Sequence, residues 1–208
     1  MNLLNKTYAW ILNNYIKVIV FFLIIGLSYG VYLYFYFAAQ KKDQAAGDSF
    51  LNFYNSYLTS NFDEQLYENT LENISQIDSA SIYLVMLKSI HAAEFVEKNN
   101  LQKALIELSK AQEILSTKSN DFNFLKEIID LRIVSIFIDS GDLDRAKNIL
   151  NNTFTTYQVN KLIFQGDISV LENKVDNARQ KYSDALRSSE NESQKNLINL
   201  KISTLSDS

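Results

Sequence analysis

One spacing of small and polar residues recurs three times after residue 80 and constrains the fold more than any other feature of the sequence. In the segment GDLDRAKNIL, Ala146 lies four residues after an aspartate. Two further alanines, Ala104 and Ala178, lie four residues after Asn100 and Lys174, and each of the three follows an apolar run of helical length. Such recurrence is typical of stacked helical hairpins, which bury their apolar faces against their neighbours.

We interpret these alanines as packing residues. The positions twelve residues before them are occupied by Ala92, Val134 and Gly166. Small side chains at such positions let the two helices of a pair cross closely, because they admit the neighbouring backbone. The positions four residues after the alanines, which we expect to fill the groove beside them, are occupied by Leu108, Leu150 and Tyr182.

The intervals between the alanines match a known class of repeat. They are 42 and 32 residues, against about 34 in an ideal tetratricopeptide repeat. We expect the roughly eight extra residues of the first interval around Thr117 to Phe122. In the first and last units a second alanine follows the first after seven residues, whereas the middle unit has Thr153 at that position. A chance alignment of amphipathic helices is the alternative interpretation.

An uncharged run from Val18 to Gln40 predicts a membrane anchor. At about 1.5 Å per residue, this run reaches roughly 34 Å, enough to cross a hydrocarbon core of about 30 Å. We therefore assign residues 17–40 to a transmembrane helix, residues 1–16 to an interfacial lead-in and residues 41–208 to the repeat domain. A cleaved signal peptide is the alternative, but its apolar core is normally shorter, and Phe37 stands where a small residue is expected.

Gly26 and Gly30 form a G-x-x-x-G pattern inside the predicted span. Glycines one turn apart let a second helix approach closely in lipid, so the pair is a candidate transmembrane contact. Chance occurrence in a glycine-tolerant membrane helix is the alternative.

The predicted fold class is all-α. The chain contains no proline and five glycines, which favours long helices over a turn-rich sheet. One transmembrane helix is followed by a tetratricopeptide-like helical-repeat domain, which begins with a degenerate helix pair over residues 49–58 and 63–74. A helix over residues 192–205 is expected to cap the last apolar face. The apolar residues of that helix are Leu197, Ile198, Leu200 and Ile202.

The charge distribution argues against nucleic acid as a partner. From Lys41 onward the chain has 18 basic and 24 acidic residues, a formal charge of −6, and no basic patch. Basic residues on the two sides of the span are nearly equal in number, so the positive-inside rule leaves the orientation open.

The sequence contains no pattern of reactive side chains that predicts catalysis. Cysteine is absent, which excludes disulfides and thiolate chemistry, and His91 is the only histidine. A metal site of histidine and carboxylates would have this one imidazole to use, and no pattern of partner residues accompanies it, so we interpret His91 as a structural residue. Carboxylates such as Asp142 and Asp144 lie at repeat turns. There they cap helices and interact favourably with the positive end of the helix dipole. We therefore predict no catalytic residue, no metal, no cofactor and no enzymatic activity.

The repeat pattern predicts a protein-binding groove instead. In a repeat superhelix the first helix of each pair lines the concave side. An apolar groove of this kind suits an unfolded segment or a partner helix. Packing of some of these residues against the capping helix or the upstream pair is the alternative. The predicted groove residues are Met86, Ser89, Ala93, Val96, Ile128, Leu131, Ser135, Ile138, Asn160, Ile163, Asp167 and Val170.

Two segments give the chain a resemblance to a known family. These are LIFQGDISVLENKVDNARQKYSDALRSS, from Leu162 to Ser189, and LKISTLS near the end. With the short N-terminal stretch, the single span and the degenerate repeats, the chain resembles the ancillary SecYEG translocon subunits over nearly its full length. One departure is the apolar, aromatic stretch from Leu3 to Tyr15, where the family is expected to be more acidic.

This resemblance implies a topology and a set of partners. It implies a single-pass protein of the bacterial inner membrane, with a cytoplasmic N-terminus and a periplasmic repeat domain. The implied partners are the SecYEG translocon, a membrane-anchored periplasmic chaperone of the prolyl-isomerase type and unfolded exported proteins, besides the lipid bilayer. The implied function is a non-enzymatic subunit that links the translocon to periplasmic chaperones and assists newly exported chains. The alternative is a general envelope-assembly or cell-division scaffold that does not bind the translocon.

Overall fold

The computed structural model describes the backbone of residues 15–205 and the side chains of residues 24–205. The predicted lead-in lies outside these residues apart from the backbone of its last two positions, and the side chains of residues 17–23 in the predicted span lie outside them too. The described part contains nine α-helices, one 3₁₀ turn and no strand, so the prediction of an all-α fold is confirmed there. The helices are α1 Tyr15–Thr59, α2 Glu64–Ile77, α3 Ile82–Glu97, α4 Leu101–Ser116, α5 Asn123–Asp139, α6 Leu143–Leu150, α7 Gln158–Leu171, α8 Val175–Ser188 and α9 Glu192–Thr204.

The helices form consecutive hairpins that stack on one another. The pairs are α1 with α2, α3 with α4, α5 with α6 and α7 with α8, and the second helix of each repeat pair contacts the first helix of the next. Helix α9 packs against α8 in the same way, so it takes the place of the first helix of a further pair. It buries Ile198 completely, in a cluster with Tyr182 and Ala185.

Helix α1 is a single helix of 45 residues that runs from the uncharged segment into the first hairpin. Its burial begins at Ala46, and Phe50 and Phe53 carry the contact with the second and third helices. The helix predicted over residues 49–58 is thus the last part of α1, and the predicted partner over residues 63–74 corresponds to α2. Within the described residues, no helix combines the length and the apolar character that crossing a membrane requires.

The turns inside the three repeat hairpins share one backbone conformation. Asn99, Gly141 and Asn173 have φ values of 55°, 79° and 58°, and each lies five residues before a repeated alanine. Glycine and asparagine tolerate this left-handed region best, and it ends a helix by returning an N–H to a carbonyl of the last turn. The returning bonds are Asn100 N to Phe95 O at 2.7 Å, Asp142 N to Phe137 O at 2.8 Å and Lys174 N to Ser169 O at 2.8 Å.

The polar residue four positions before the alanine begins the second helix. Asn100 accepts a hydrogen bond from the Lys103 N–H at 3.3 Å, and Asp142 accepts one from the Arg145 N–H at 3.1 Å. These side chains satisfy backbone donors that the first helical turn leaves free. The recurring segment therefore joins a helix end, a left-handed turn and a helix start in a fixed order.

The repeated small residues lie where the two helices of each hairpin touch. Ala104, Ala146 and Ala178 are fully buried, which confirms their interpretation as packing residues. The pairs sixteen residues apart balance each other in size: Ala92 with Leu108, Val134 with Leu150, and Gly166 with Tyr182. A Cβ atom on Gly166 would lie only 2.3 Å from Cε1 of Tyr182, so the largest partner requires the smallest residue.

The middle hairpin is shorter than its neighbours because its second helix ends at Leu150. Thr153, which occupies the position of the missing second alanine, is exposed in the following loop. The next residue, Phe154, is buried instead. The roughly eight extra residues of the first interval lie where expected, since α4 ends at Ser116 and a 3₁₀ turn occupies Asn120–Phe122.

The loop after α6 is held by one buried carboxylate. Glu127 on α5 accepts hydrogen bonds from the N–H and hydroxyl of Thr155 at 2.8 and 2.9 Å, and from the N–H groups of Thr156 and Tyr157 at 2.9 and 2.8 Å. Burial by itself raises the pKa of Glu127, but these donors outweigh it and hold the pKa below its usual value. Glu127 therefore fixes the start of α7, which lacks a side-chain cap of its own.

The size balance between Gly166 and Tyr182 gives the first prediction. Gly166→Ala is expected to lower the free energy of unfolding by about 1–3 kcal/mol, because the added methyl group overpacks the contact with the tyrosine ring. In a Tyr182→Leu background the same change is expected to be neutral or stabilising, since alanine favours a helix over glycine by about 1 kcal/mol. Urea unfolding of the four proteins of this double-mutant cycle measures the coupling. An equal cost in both backgrounds would contradict the packing account.

The contacts of Glu127 give a second prediction. Glu127→Gln is expected to lower the free energy of unfolding at pH 7 by about 2–4 kcal/mol, because the amide leaves buried donors without an acceptor. The folded pKa lies below the unfolded value of about 4.3, so the stabilisation is complete above that value and is lost as the pH falls through the folded pKa.

Urea unfolding between pH 7 and pH 3 checks this sign. The difference between the wild type and Glu127→Gln should shrink as the solution becomes acidic. Glu113→Gln, on an exposed carboxylate of α4, should change stability little at any pH. A difference that grows towards low pH would refute the role of the carboxylate.

Candidate protein-binding clefts

A cleft of about 330 Å³ opens between α3 and α5, and we name it the α3–α5 cleft. Four of the predicted groove residues line it: Ser89, Ala93, Val96 and Ser135. The rest of the lining consists of buried apolar residues beneath and charged residues, namely Ala92, Leu108, Ile136, Glu97, Arg132 and Asp139. The first helices of two successive repeats thus build one apolar depression.

A second cleft lies between α5, α7 and α9, and we name it the α7–α9 cleft. Its volume is about 490 Å³, and it brings together three further predicted groove residues, Ile138, Asp167 and Val170. The other lining residues are Leu171, Tyr182, Lys201, Thr204 and Leu205. Helix α9 therefore forms one wall of this cleft.

The remaining predicted groove residues do not line either cleft. Met86 is 37% exposed, whereas Leu131 and Ile163 are each only 8% exposed and belong to the hydrophobic core. Ile128 is partly buried, and Asn160 accepts a hydrogen bond from Nε2 of Gln194 on α9 at 3.4 Å. Seven of the twelve positions thus line the two clefts, and the other five lie in the hydrophobic core or elsewhere outside the clefts.

Arg132 is the cation of the α3–α5 cleft. Its Nη1 atom donates a hydrogen bond to the backbone carbonyl of Ser89 at 3.2 Å, which ties α5 to α3. Burial lowers the pKa of Arg132 from its ordinary value, although the group remains charged in neutral solution. Glu97 and Asp139 are exposed, and within the described residues neither forms an ion pair.

In the α7–α9 cleft, Asp167 connects three helices. Its Oδ1 atom accepts hydrogen bonds from the Tyr182 hydroxyl on α8 and from Nζ of Lys201 on α9, both at 2.6 Å. Burial, reinforced by the neighbouring carboxylate, raises the pKa of Tyr182, so its hydroxyl stays protonated as a donor. The carboxylate of this cleft is therefore charge-compensated, and it ties α7 to α8 and α9.

His91 lies away from both clefts, in a stack of rings that joins α2 to α3. Its ring centroid lies 5.3 Å from that of Phe62, 4.0 Å from Tyr67 and 4.3 Å from Phe95. Burial lowers the pKa of His91, against the opposing effect of Glu64, whose Oε1 lies 3.3 Å from Nε2. The surroundings are those of a packing residue.

Sequence reasoning missed the charged residues at the α3–α5 cleft. Glu97 and Asp139 each directly follow a predicted groove residue, Val96 and Ile138, and they end α3 and α5. Their position in the last turn could have predicted that they lie near each other, because equivalent helix ends in a stacked array lie at the same edge. Arg132 follows Leu131 directly but gives no such signal in the repeat pattern.

Stacked helical hairpins with apolar clefts between their first helices define a protein of the helical-repeat class. The chain belongs to the family of the tetratricopeptide repeat-like domain, whose model matches residues 9–207. A similar relative is the ancillary SecYEG translocon subunit of Buchnera aphidicola subsp. Acyrthosiphon pisum (strain APS), 28% identical over 194 residues, which cover 92% of this chain and 94% of the relative. The resemblance to the ancillary translocon subunits is thereby confirmed. No solved structure gives a significant match.

Proposed function

We propose that this protein is a membrane-anchored, non-enzymatic protein-binding subunit that associates with the SecYEG translocon. The observation that carries this proposal is the similarity to an ancillary SecYEG translocon subunit across almost the whole of both chains, repeats and N-terminal segment included. A match confined to the repeats would give much weaker support for this function, because helical repeats occur in many proteins of unrelated function.

The anchor in this proposal is the predicted transmembrane helix of residues 17–40 in the bacterial inner membrane, whose run from Val18 to Gln40 is uncharged. The N-terminus is cytoplasmic and the repeat domain is periplasmic. Support comes from α1, which continues without a break from this segment to Thr59. At about 1.5 Å per residue, the first buried residue of the domain, Ala46, lies roughly 9 Å beyond Gln40. The domain is therefore held close to the bilayer by a stiff helix.

The partners in this proposal are the translocon, a membrane-anchored prolyl-isomerase-type chaperone and unfolded exported chains. Two surfaces are available for them. The clefts between the first helices offer apolar area to an exported segment or a chaperone. In the anchor, a Cβ atom added to Gly26 or Gly30 meets no described atom within 4 Å, so both glycines can serve as the contact with a helix of the translocon.

Co-purification from native membranes tests the proposal. Full-length tagged protein, extracted in mild detergent, is expected to enrich SecY well above the level found with a single-span membrane protein of equal abundance. A Gly26→Leu/Gly30→Leu variant should insert normally, because leucine is at least as apolar as glycine, and should lose part of the enrichment if the glycines contact the translocon.

The alternative function predicts a different result. Enrichment of envelope-assembly or cell-division proteins without SecY would favour a general scaffold and contradict translocon association. Protease added to spheroplasts provides the check on topology, since it should degrade the repeat domain before the membrane is lysed. A domain that stays protected until lysis would contradict a periplasmic location.

A further inference from the structure

The ends of two helices meet at the mouth of the α3–α5 cleft. Val96 and Glu97 are the last residues of α3, and Asp139 is the last residue of α5. Beneath them lie the buried side chains of Leu108 and Ile136. An occupant of this cleft therefore meets an apolar floor and a rim formed by two helix C-termini.

The rim carries two carboxylates that no ion pair within the described residues neutralises. A helix C-terminus bears a partial negative charge, and neither α3 nor α5 has a basic residue in its last turn. Glu97 and Asp139 add two carboxylates that form no ion pair within the described part of the chain.

Within the described residues, the nearby cations form no ion pair with Glu97 or Asp139. Lys98 follows α3 directly, but its Nζ pairs with Oε2 of Glu94 at 3.9 Å. The same Nζ lies 5.6 Å from the ring centroid of Phe62. The guanidinium of Arg132, an exposed residue, donates to the neutral Ser89 carbonyl in the wall of the cleft, so its charge offsets one of the two carboxylates and leaves the cleft with an excess of negative charge. By contrast, the carboxylate in the α7–α9 cleft, Asp167, already holds Lys201. Only the α3–α5 cleft thus combines apolar surface with unpaired carboxylates among the clefts described above.

We propose that the α3–α5 cleft selects unfolded segments in which a lysine or arginine stands beside apolar residues. The apolar side chains enter between Ala93, Val96 and Ile136, and the cation pairs with Glu97 and Asp139 at the rim. This proposal rests on the proposed protein-binding function and specifies the chemistry of the segment. A volume of about 330 Å³ is at the lower end for ligand sites, so the cleft takes a short stretch of chain.

Peptide binding to the full-length protein in nanodiscs tests this selectivity. Three fluorescein-labelled peptides share one apolar core and are flanked by two lysines, two glutamines or two glutamates. Fluorescence anisotropy is expected to give the tightest binding for the lysine peptide, about 3- to 10-fold tighter than for the glutamine peptide. This preference should diminish at 0.5 M salt, because exposed ion pairs are screened.

Matched variants locate the effect. Glu97→Gln/Asp139→Asn is expected to remove the preference for lysine. The control Glu113→Gln/Glu190→Gln removes the same charge from exposed positions outside the cleft. This control variant should keep the preference for the lysine peptide. Ala93→Leu changes an exposed residue of the cleft, fills the space and should weaken binding of all three peptides.

Two results would overturn the proposal in different ways. Equal affinities for the three peptides, each still weakened by Ala93→Leu, would refute charge selection and leave protein binding in the cleft intact. Binding that Ala93→Leu does not weaken would refute the cleft itself as the site. Translocon association is measured separately by SecY enrichment, so its failure is distinguishable from both.

Discussion

The close approach of two helices inside each hairpin is the contact on which the rest of the structure depends. Ala104, Ala146 and Ala178 allow this approach because their small side chains are fully buried. The facing residues adjust in size, so that glycine meets tyrosine in the last repeat where alanine meets leucine in the first. Each hairpin thereby keeps a close contact between its two helices and stacks on the next, which sets the clefts between the first helices.

Polar groups maintain this stacking where the repeats are irregular. Glu127 compensates for the short sixth helix by holding the loop that leads to α7. Asp167 ties the C-terminal helix to the last hairpin through Tyr182 and Lys201. Each carboxylate is satisfied by several donors, as buried charges require. The polar and apolar contacts therefore act together to place the walls of the two clefts.

The features that sequence could predict are local. The alanine spacing fixed the helix pairs, and the polar residues before the alanines marked helix starts, because caps and packing residues lie within a few turns of each other. The left-handed turns at Asn99 and Asn173 were harder to see, since asparagine is common in this chain and also occurs in other conformations. The long α1 was divided at residue 40 by its charge pattern, although the backbone continues.

The features that sequence could not predict depend on distant parts of the chain. Leu131 and Ile163 have the right spacing for a groove, but stacking buries them. Glu127 meets residues 28 to 30 positions away, a distance that no local pattern encodes. Likewise, the sequence does not predict that Glu97 and Asp139 form no ion pair within the described residues, because this depends on how other helices are placed. The spacing of residues predicts which of them share a helix face, whereas the packing of other helices decides whether that face is buried or exposed.

Site-specific photo-crosslinking in intact cells tests the central claim, that the α3–α5 cleft is a surface for other proteins, most directly. A photoreactive residue at Ala93 in the full-length protein should give discrete crosslinked adducts, identifiable by mass spectrometry as exported chains, chaperone or translocon subunits. The same residue at Gln180, exposed on α8 outside both clefts, should give few. Equal adduct patterns at the two positions, or adducts at Gln180 alone, would contradict the account.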